Sequence, residues 1–382
     1  MPFESEVKKV VFTVPVEAVG PLQDFNHPPQ GDGSNHIDLL RELIDNTPGD
    51  QRIRVCISHF DHSGIAEALI RAGQRGVEVI IIKEFSLTTG FFDLFDANDP
   101  VSIVYVTGAY GLKIHTKLFL FSHTSLGGEK MNHVVVVGSA TITKSAESKH
   151  QDTLVVSDEQ LYMGLRNYFE QMLLHQNPPL LPGFQLVEFP DPQDMFSISG
   201  RVKAYLFPRS SDVVANIIGN VSGERNPMSG DIPRIRIAMA RWTTRRPRIL
   251  EEIKASLKRG CAVDLVLRFD PGDDWGVKRR IIDELIELRN SGVFDDRLSV
   301  KLANGNEEKT NVHCKYFLVE GFYRDGDEWE TNVWSGSENW TSPALNYNDE
   351  IMVKCRDAEL HKLYVEHHKG LQSLCVDNPA DA

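Results

Sequence analysis

The sequence has no apolar run that approaches the roughly 18 residues of a membrane-spanning helix. Residues 1–6 also lack the basic and apolar regions with which a secretory signal peptide begins. We therefore expect a chain without membrane spans. The compartment stays open: we expect a cytoplasmic protein from the sequence as it stands, or a secreted one if the chain is a processed form.

Cysteine is scarce, and no set of residues has the spacing of a metal site. The five cysteines show no Cys-x-x-Cys pattern, so the sequence predicts buried thiols rather than a zinc site or a disulfide framework. The acidic clusters at Asp93–Asp99 and Asp270–Asp274 lack the glycine and the spacing of a calcium loop. We therefore predict neither a bound metal nor a cofactor.

Positive charge is in deficit, because 41 Lys and Arg residues face 54 Asp and Glu residues and the net charge is −13. Non-specific binding to nucleic acid depends on many contacts between Lys or Arg and phosphate. An acidic chain therefore makes a non-specific nucleic-acid-binding protein less expected. A local basic groove remains compatible with a negative net charge. The ordinary globular composition, 41% hydrophobic and 25% charged, excludes a disordered or collagen-like chain.

The chain repeats itself. The strand-like segment Arg52–Ile57 recurs as Arg234–Met239, and each copy is followed by a helix pattern, a glycine and a second apolar strand. Strands that alternate with helices of this length indicate an α/β fold whose mainly parallel sheets are covered by helices. We predict two pseudo-symmetric α-β-α sandwich halves.

The boundary between the halves is predicted from a cluster of Pro and Gly residues within Gln176–Gly200. It divides the chain into an N-terminal half, residues 1–198, and a C-terminal half, residues 199–382. Because one chain supplies both halves, we expect a monomer that is an internal pseudo-dimer.

Two segments carry the residues that point to chemistry. Each is an apolar strand pattern interrupted by His-x-Lys, at His115 and Lys117 and again at His313 and Lys315. Side chains two residues apart in a strand share a face, so His and Lys are expected side by side. Cys314 would then point to the opposite face, as a core thiol.

From each histidine the same residue types recur at matching offsets. A Gly-Ser pair lies 23 and 24 residues beyond the histidine, and an acid lies 37 residues beyond it. The members are Gly138, Ser139 and Asp152 in the first half and Gly336, Ser337 and Glu350 in the second. Chance explains this poorly, because the rest of the repeat has diverged.

The chemistry that suits this set is the cleavage of a phosphodiester. Two lysines and two Gly-Ser turns can neutralise and hold the non-bridging phosphoryl oxygens. One histidine can attack phosphorus as a neutral imidazole while the other, protonated, donates to the leaving oxygen. A carboxylate beside each imidazole would set its tautomer and stabilise its positive charge.

These residues resemble the phospholipase D superfamily, whose duplicated signature is His-x-Lys-(x)4-Asp, then Gly-Ser-x-Asn, then Asn-x-Glu. The second half matches it at His313, Lys315, Ser337, Asn339 and Glu350. The resemblance covers nearly the whole chain, and it extends to bacterial phospholipase D-like proteins.

The first half departs from the signature. Thr141 replaces the asparagine, and Asp152 ends a His-Gln-Asp segment where the family has Asn-x-Glu. The aspartate expected seven residues after each histidine is Ser122 in one half and Glu320 in the other. That aspartate is generally structural, so its loss weakens the signature more than the chemistry.

The resemblance implies a helix–sheet–helix fold, one active site between the halves, metal-independent chemistry and a covalent phosphohistidine. The implied catalytic residues are His115, Lys117, His313, Lys315, Asp152 and Glu350. The implied phosphate-binding residues are Ser139, Thr141, Ser337 and Asn339. In this family the N-terminal histidine is usually the nucleophile, which implies His115 as nucleophile and His313 as general acid; the residues alone do not order them.

The expected substrate is a phospholipid, hydrolysed or transferred to an alcohol, with transient contact to a membrane surface. A nuclease of the same superfamily is the alternative, which the acidic charge makes less favoured. A catalytically lapsed protein that only binds phosphate-containing ligands is the alternative from another class. Its support is the drift at Thr141 and at the two missing aspartates.

Two further features have alternative readings. The basic segment Arg241–Arg248 follows a predicted strand at the edge where open α/β sheets bind ligands. It suits a phosphate or an anionic head group, or else a solvated start of a helix. His59 and His62 occupy the corresponding loop of the first half and either line the pocket or lie on the surface.

Overall fold

The computed structural model describes residues 6–15, 36–84, 91–106, 113–174, 194–272, 275–323 and 326–381. In these ranges the N-terminal half contains β1 (Val7–Thr13), α1 (His36–Asp45), β2 (Arg52–Ile57), α2 (Ser63–Gln74), β3 (Glu78–Glu84), β4 (Ser102–Val106), β5 (Lys117–Leu126), β6 (Glu129–Gly138), β7 (Gln151–Ser157) and α3 (Glu159–Leu174). Its sheet has the order β1-β7-β6-β5-β2-β3-β4.

The second sheet repeats this plan. The elements are β8 (Met195–Phe196), β9 (Val202–Phe207), α4 (Val213–Gly219), β10 (Arg234–Met239), α5 (Pro247–Arg259), β11 (Ala262–Phe269), α6 (Arg279–Asn290), β12 (Leu298–Asn304), β13 (Lys315–Phe322), β14 (Trp329–Gly336), α7 (Ser342–Asn346), β15 (Glu350–Arg356) and α8 (Ala358–Leu374). Their strand order is β12-β11-β10-β13-β14-β15-β9-β8.

The predicted repeat is confirmed. Strand β2, helix α2 and strand β3 of the first half match β10, α5 and β11 of the second, with parallel pairing of the two strands in both cases. Each helix ends just before a glycine in the left-handed region, Gly76 at φ +92° and Gly260 at φ +110°. Only glycine adopts this backbone without strain. The α/β class with two similar halves is therefore confirmed.

The sheets are mixed, which corrects the expectation that they are mainly parallel. Among the described strands, parallel pairing is confined to β2-β3-β4 and β10-β11-β12. The motif strands return through hairpins instead. Gly127 and Gly128, at φ +56° and +82°, form the two-residue turn between β5 and β6, and such a turn joins only antiparallel neighbours.

The two sheets share a buried core. Along β5, Leu118 and Leu120 face this shared core, whereas Phe119 faces the outer helices. Leu318 of β13 and Tyr364 of α8 belong to the same shared cluster. The inner faces of both sheets therefore pack together with α3 and α8, and this packing brings the beginnings of β5 and β13 close to each other.

The predicted boundary between residues 198 and 199 stays a prediction. Strand β8 already pairs with the second sheet, and residues 175–193 lie outside the described residues. Four of the five cysteines are buried free thiols and Cys375 is half-buried, as expected. No helix in the described ranges combines the length and the apolar character needed to cross a membrane.

Candidate active site

The two His-x-Lys motifs meet where the halves join. The backbone N–H of His115 donates to the carbonyl of Asp349 at 2.8 Å, and that of His313 donates to the carbonyl of His150 at 2.9 Å. Each histidine lies two residues ahead of its strand, because β5 begins at Lys117 and β13 at Lys315. The expectation that histidine and lysine share one strand is therefore corrected. At each histidine the backbone N–H bonds to the opposite half of the chain and not to a neighbouring strand of its own sheet.

His115 is paired with an acid from the other half. Its Nδ1 lies 2.7 Å from Oε2 of Glu350, a fully buried carboxylate. The same carboxylate accepts hydrogen bonds from Oγ of Ser337 at 2.5 Å and from Nδ2 of Asn348 at 3.3 Å. When Glu350 is ionised its oxygens only accept, and Nδ1 of His115 then carries the proton. The lone pair of a neutral His115 ring is then on Nε2.

His313 has a different environment. Its Nδ1 faces Nζ of Lys315 at 3.2 Å, and its ring lies parallel to Trp275 at 6.0 Å between centroids. No carboxylate among the described residues lies within 4 Å of its ring nitrogens. When Lys315 is protonated its ammonium only donates, so Nδ1 of a neutral His313 accepts and the ring carries its proton on Nε2. The different contacts at Nδ1 thus favour opposite tautomers for the two histidines when Glu350 and Lys315 are charged.

Asp152 is not brought to His313, so the expectation of an acid beside each imidazole holds for His115 alone. Its carboxylate accepts from Oγ of Ser139 and from the hydroxyl of Tyr364, both at 2.6 Å, and from Oγ of Ser335. These three donors hold Asp152, whose side chain is also one methylene shorter than that of Glu350. It is a fully buried acid whose position stabilises the junction of the halves.

Both motif lysines are buried. Lys117 donates from Nζ to the carbonyl of His115 at 2.7 Å, and Lys315 donates to that of His313 at 2.5 Å. Burial lowers the pKa of Lys117 to about 8, against the opposing effect of Glu350. The pKa of Lys315 lies well below its usual value because the side chain is buried and Lys117 is near. An anion bound between the two ammonium groups would stabilise both charges.

Burial also shifts the pKa values of the paired imidazole and acid. It lowers that of His115 well below the usual value, and Lys117 acts in the same direction. It raises that of Glu350 to about 7, which Lys117 opposes. The pKa of His313 is lowered well below its usual value by burial and then by Lys315. Both imidazoles are therefore neutral at neutral pH.

The glycines of the two Gly-Ser turns are required by close backbone packing. A Cβ on Gly138 would lie 2.1 Å from the carbonyl oxygen of Asp152, and one on Gly336 would lie 2.1 Å from that of Ile351. Any side chain at either position would displace the neighbouring strand. The turns therefore fix where β7 and β15 present Asp152 and Glu350.

The four implied phosphate-binding residues stay predictions. The hydroxyls of Ser139 and Ser337 donate to the buried acids, so both serines position a carboxylate. Thr141 donates from its backbone N–H to Gln151 at 3.2 Å. Asn339 is 8% exposed, and its Oδ1 has no hydrogen-bond partner among the described residues.

Several residues at the site were missed by the sequence reasoning. Trp275 lies in a loop and has no motif to signal it. Tyr168 of α3 donates to Asp349, and Tyr364 of α8 donates to Asp152. The two tyrosines lie at different positions of the repeat, so the repeat did not signal them. Lys149 is close enough to lower the pKa of His313.

The basic segment Arg241–Arg248 divides into different roles. Arg246 is buried and paired with Asp212, at 2.6 Å, and with Glu338, so it is structural. Arg241 is half-buried, with its guanidinium 5.7 Å from the Trp275 ring centroid. Within the described ranges, no group of three or more His, Cys, Asp or Glu residues could hold a metal ion; metal independence stays a prediction.

Two histidines that face one site from two halves, each followed by a buried lysine, define an enzyme of phosphodiester chemistry. The family model described as cardiolipin synthase, PLD-like domain, matches residues 40–173 and 233–371. The chain therefore belongs to the phospholipase D superfamily, whose enzymes act on phosphodiesters, and the resemblance drawn from the sequence is confirmed. No curated protein gives a match.

Solved structures support the same fold. Phosphatidylserine synthase of Haemophilus influenzae Rd KW20 is 12% identical with a TM-score of 0.60, over 91% of this chain and 86% of that one. Polyphosphate kinase from Porphyromonas gingivalis is 14% identical with a TM-score of 0.55, over 88% of this chain. The chain spans 45% of the length of that kinase. At these identities the likeness concerns the fold alone.

Proposed function

We propose that this protein is a metal-independent phosphodiesterase of the phospholipase D type that hydrolyses or transfers the phosphodiester of a phospholipid. The match to a lipid-synthase family model supports a lipid, and so does the net charge of −13, which disfavours nucleic acid. The observation that carries the proposal is the different contact at each Nδ1, which is to Glu350 at His115 and to Lys315 at His313.

The tautomers that these contacts favour support a role for each histidine. Nε2 of His115 has a free lone pair, and Glu350 stabilises the positive charge that develops on the ring when Nε2 attacks phosphorus. Nε2 of His313 carries a proton for the leaving oxygen. These assignments agree with the roles implied by the resemblance, and they rest on the groups that face each Nδ1.

The first step forms the bond from His115 Nε2 to phosphorus and breaks the bond from phosphorus to the leaving oxygen. That oxygen takes the proton of His313 Nε2, while Lys315 supplies a proton to Nδ1 across the 3.2 Å contact. His313 then has a free lone pair on Nε2 and can deprotonate water or an alcohol. Attack of that nucleophile on phosphorus releases His115, and the Nδ1 proton returns to Lys315.

Replacing Lys315 and Lys117 separately tests this proton supply. Both lysines would hold the phosphoryl group, so Lys315→Met and Lys117→Met should each weaken turnover of every substrate. With 4-nitrophenol, the leaving group departs without an acid. Only Lys315→Met should therefore lower kcat/KM further, on the order of 10²-fold, for a substrate with an alkyl leaving group than for the 4-nitrophenyl substrate. The measurement is kcat/KM for both substrates in both variants; equal ratios would remove Lys315 from the proton path.

The function itself is tested by a screen of one preparation. Choline, ethanolamine and glycerol phospholipids in vesicles are compared with single- and double-stranded DNA, with and without excess EDTA. We expect release of the phospholipid head group, unchanged by EDTA because lysine and imidazole stand where a metal enzyme has converging carboxylates. Cleavage of DNA alone would make the protein a nuclease, and activity lost to EDTA and restored by a divalent ion would overturn the mechanism.

A further inference from the structure

Arg241 lies beside two parts of the second motif, the His-x-Lys segment and the Gly-Ser-Glu-Asn turn. It directly follows Ala240, whose N–H donates to the carbonyl of Cys314 at 3.0 Å, and its own carbonyl accepts from the N–H of Trp340 at 2.9 Å. Cys314 is the neighbour of His313, and Trp340 follows Asn339. The end of β10 therefore places Arg241 between the general acid and the Gly-Ser-Glu-Asn turn.

The side chain of Arg241 is turned toward the same place. Its guanidinium lies 5.7 Å from the centroid of Trp275, the ring that lies parallel to His313. Arg268 also lies over Trp275, at 4.5 Å, but it is held by Asp270 at 3.0 Å and Asn311 at 2.6 Å. Arg241 has no ion pair or side-chain hydrogen bond with the described residues, and its Nε is buried.

The equivalent position of the first half carries a neutral residue. Phe60 pairs with Ile142 as Trp242 pairs with Trp340, which makes His59 the counterpart of Arg241. Burial, Lys117 and His115 lower the pKa of His59 to about 4, so this imidazole is uncharged at neutral pH. The site therefore has a neutral ring on the His115 side and a fixed cation with unused donors on the His313 side.

We propose that Arg241 binds a second anionic group of the substrate, carried by the leaving head group. The inference rests on the proposed function, in which His115 attacks and the leaving oxygen departs toward His313. Lys117 and Lys315 already supply enough positive charge for the single negative charge of the reacting phosphodiester, so the guanidinium is available for another anion. The substrate is then a phosphodiester whose head group itself bears a phosphate or a carboxylate.

Arg241→Gln tests the proposal on matched substrates. One pair is phosphatidylglycerol and phosphatidylglycerol phosphate in vesicles; the other is a methyl phosphodiester of 4-nitrophenol and one of 3-carboxy-4-nitrophenol. We expect kcat/KM for the members with the extra anion to fall about 10- to 100-fold, as for loss of a charge-assisted hydrogen bond. The members without it should change less than about threefold. Arg245→Gln, at an exposed arginine of the same segment, is the control and should affect neither.

The outcomes separate this inference from the function on which it rests. If the unaltered protein cleaves none of the four diesters and no phospholipid of the screen, the proposed function fails; if it cleaves a screened phospholipid but none of the four, the second-anion site is wrong. If it cleaves them and Arg241→Gln lowers both members of each pair equally, Arg241 serves the reacting phosphoryl group and the second-anion site is wrong. Preference of the unaltered protein for the members without the extra anion would also overturn the inference.

Discussion

Replacing His115 or His313 by asparagine is expected to lower kcat by on the order of 10³-fold or more, because a nucleophile and its acid act as a unit. Asparagine retains a polar side chain in the partly buried position, so the fold should persist. Steady-state kinetics and thermal unfolding of the same preparations measure the two quantities separately. His123→Asn, on the β5–β6 hairpin with its Nδ1 near Asn132, is a control that should retain full activity.

A trapped intermediate distinguishes the two histidines. With a 4-nitrophenyl phosphodiester the leaving group needs no acid, so His313→Asn should still form the bond to His115. The second step would then lack its base, and a phosphoryl adduct should accumulate on His115 after alkaline quench and mass analysis. His115→Asn should show none. The reverse result would exchange the roles, and no adduct in either variant would indicate direct attack by water.

Glu350→Gln is expected to lower kcat by about 10²- to 10⁴-fold, as for loss of the acid that orients a catalytic imidazole. A glutamine amide can present its NH₂ to Nδ1 of His115 and so favour the wrong tautomer, and it does not stabilise the positive ring. The measurement is kcat at saturating substrate, together with the pH dependence of kcat/KM. In that profile the apparent pKa that belongs to His115 should shift.

Asp152→Asn is the matched comparison, because Asp152 occupies the same position of the repeat. Its carboxylate accepts from Ser139, Ser335 and Tyr364 rather than from an imidazole. The expected result is a lower free energy of unfolding with a loss of less than about tenfold in kcat. A folded Asp152→Asn protein as impaired as Glu350→Gln would show that Asp152 reaches His313 during turnover.

Much of the fold was predictable because it depends on local patterns. The recurrence of Arg52–Ile57 at Arg234–Met239 and the glycines at Gly76 and Gly260 predicted matching strand–helix–strand units, and these were confirmed. The direction of the motif strands was not predictable from the same patterns. It depends on hairpins such as the one at Gly127 and Gly128, and apolar strand patterns read alike in parallel and antiparallel sheets.

The sequence by itself determined the composition of the candidate site and its class of chemistry, because His, Lys, Ser and an acid recur at equal offsets along one chain. Only the tertiary structure decided which groups meet. Glu350 reaches His115 in the opposite half, Asp152 is held by hydroxyls, and Trp275 and Arg241 lie beside His313. Offsets in sequence describe each half alone, whereas these contacts arise from packing two diverged halves against each other. Asp152 is one methylene shorter than Glu350 and is held by Tyr364, so only Glu350 meets an imidazole.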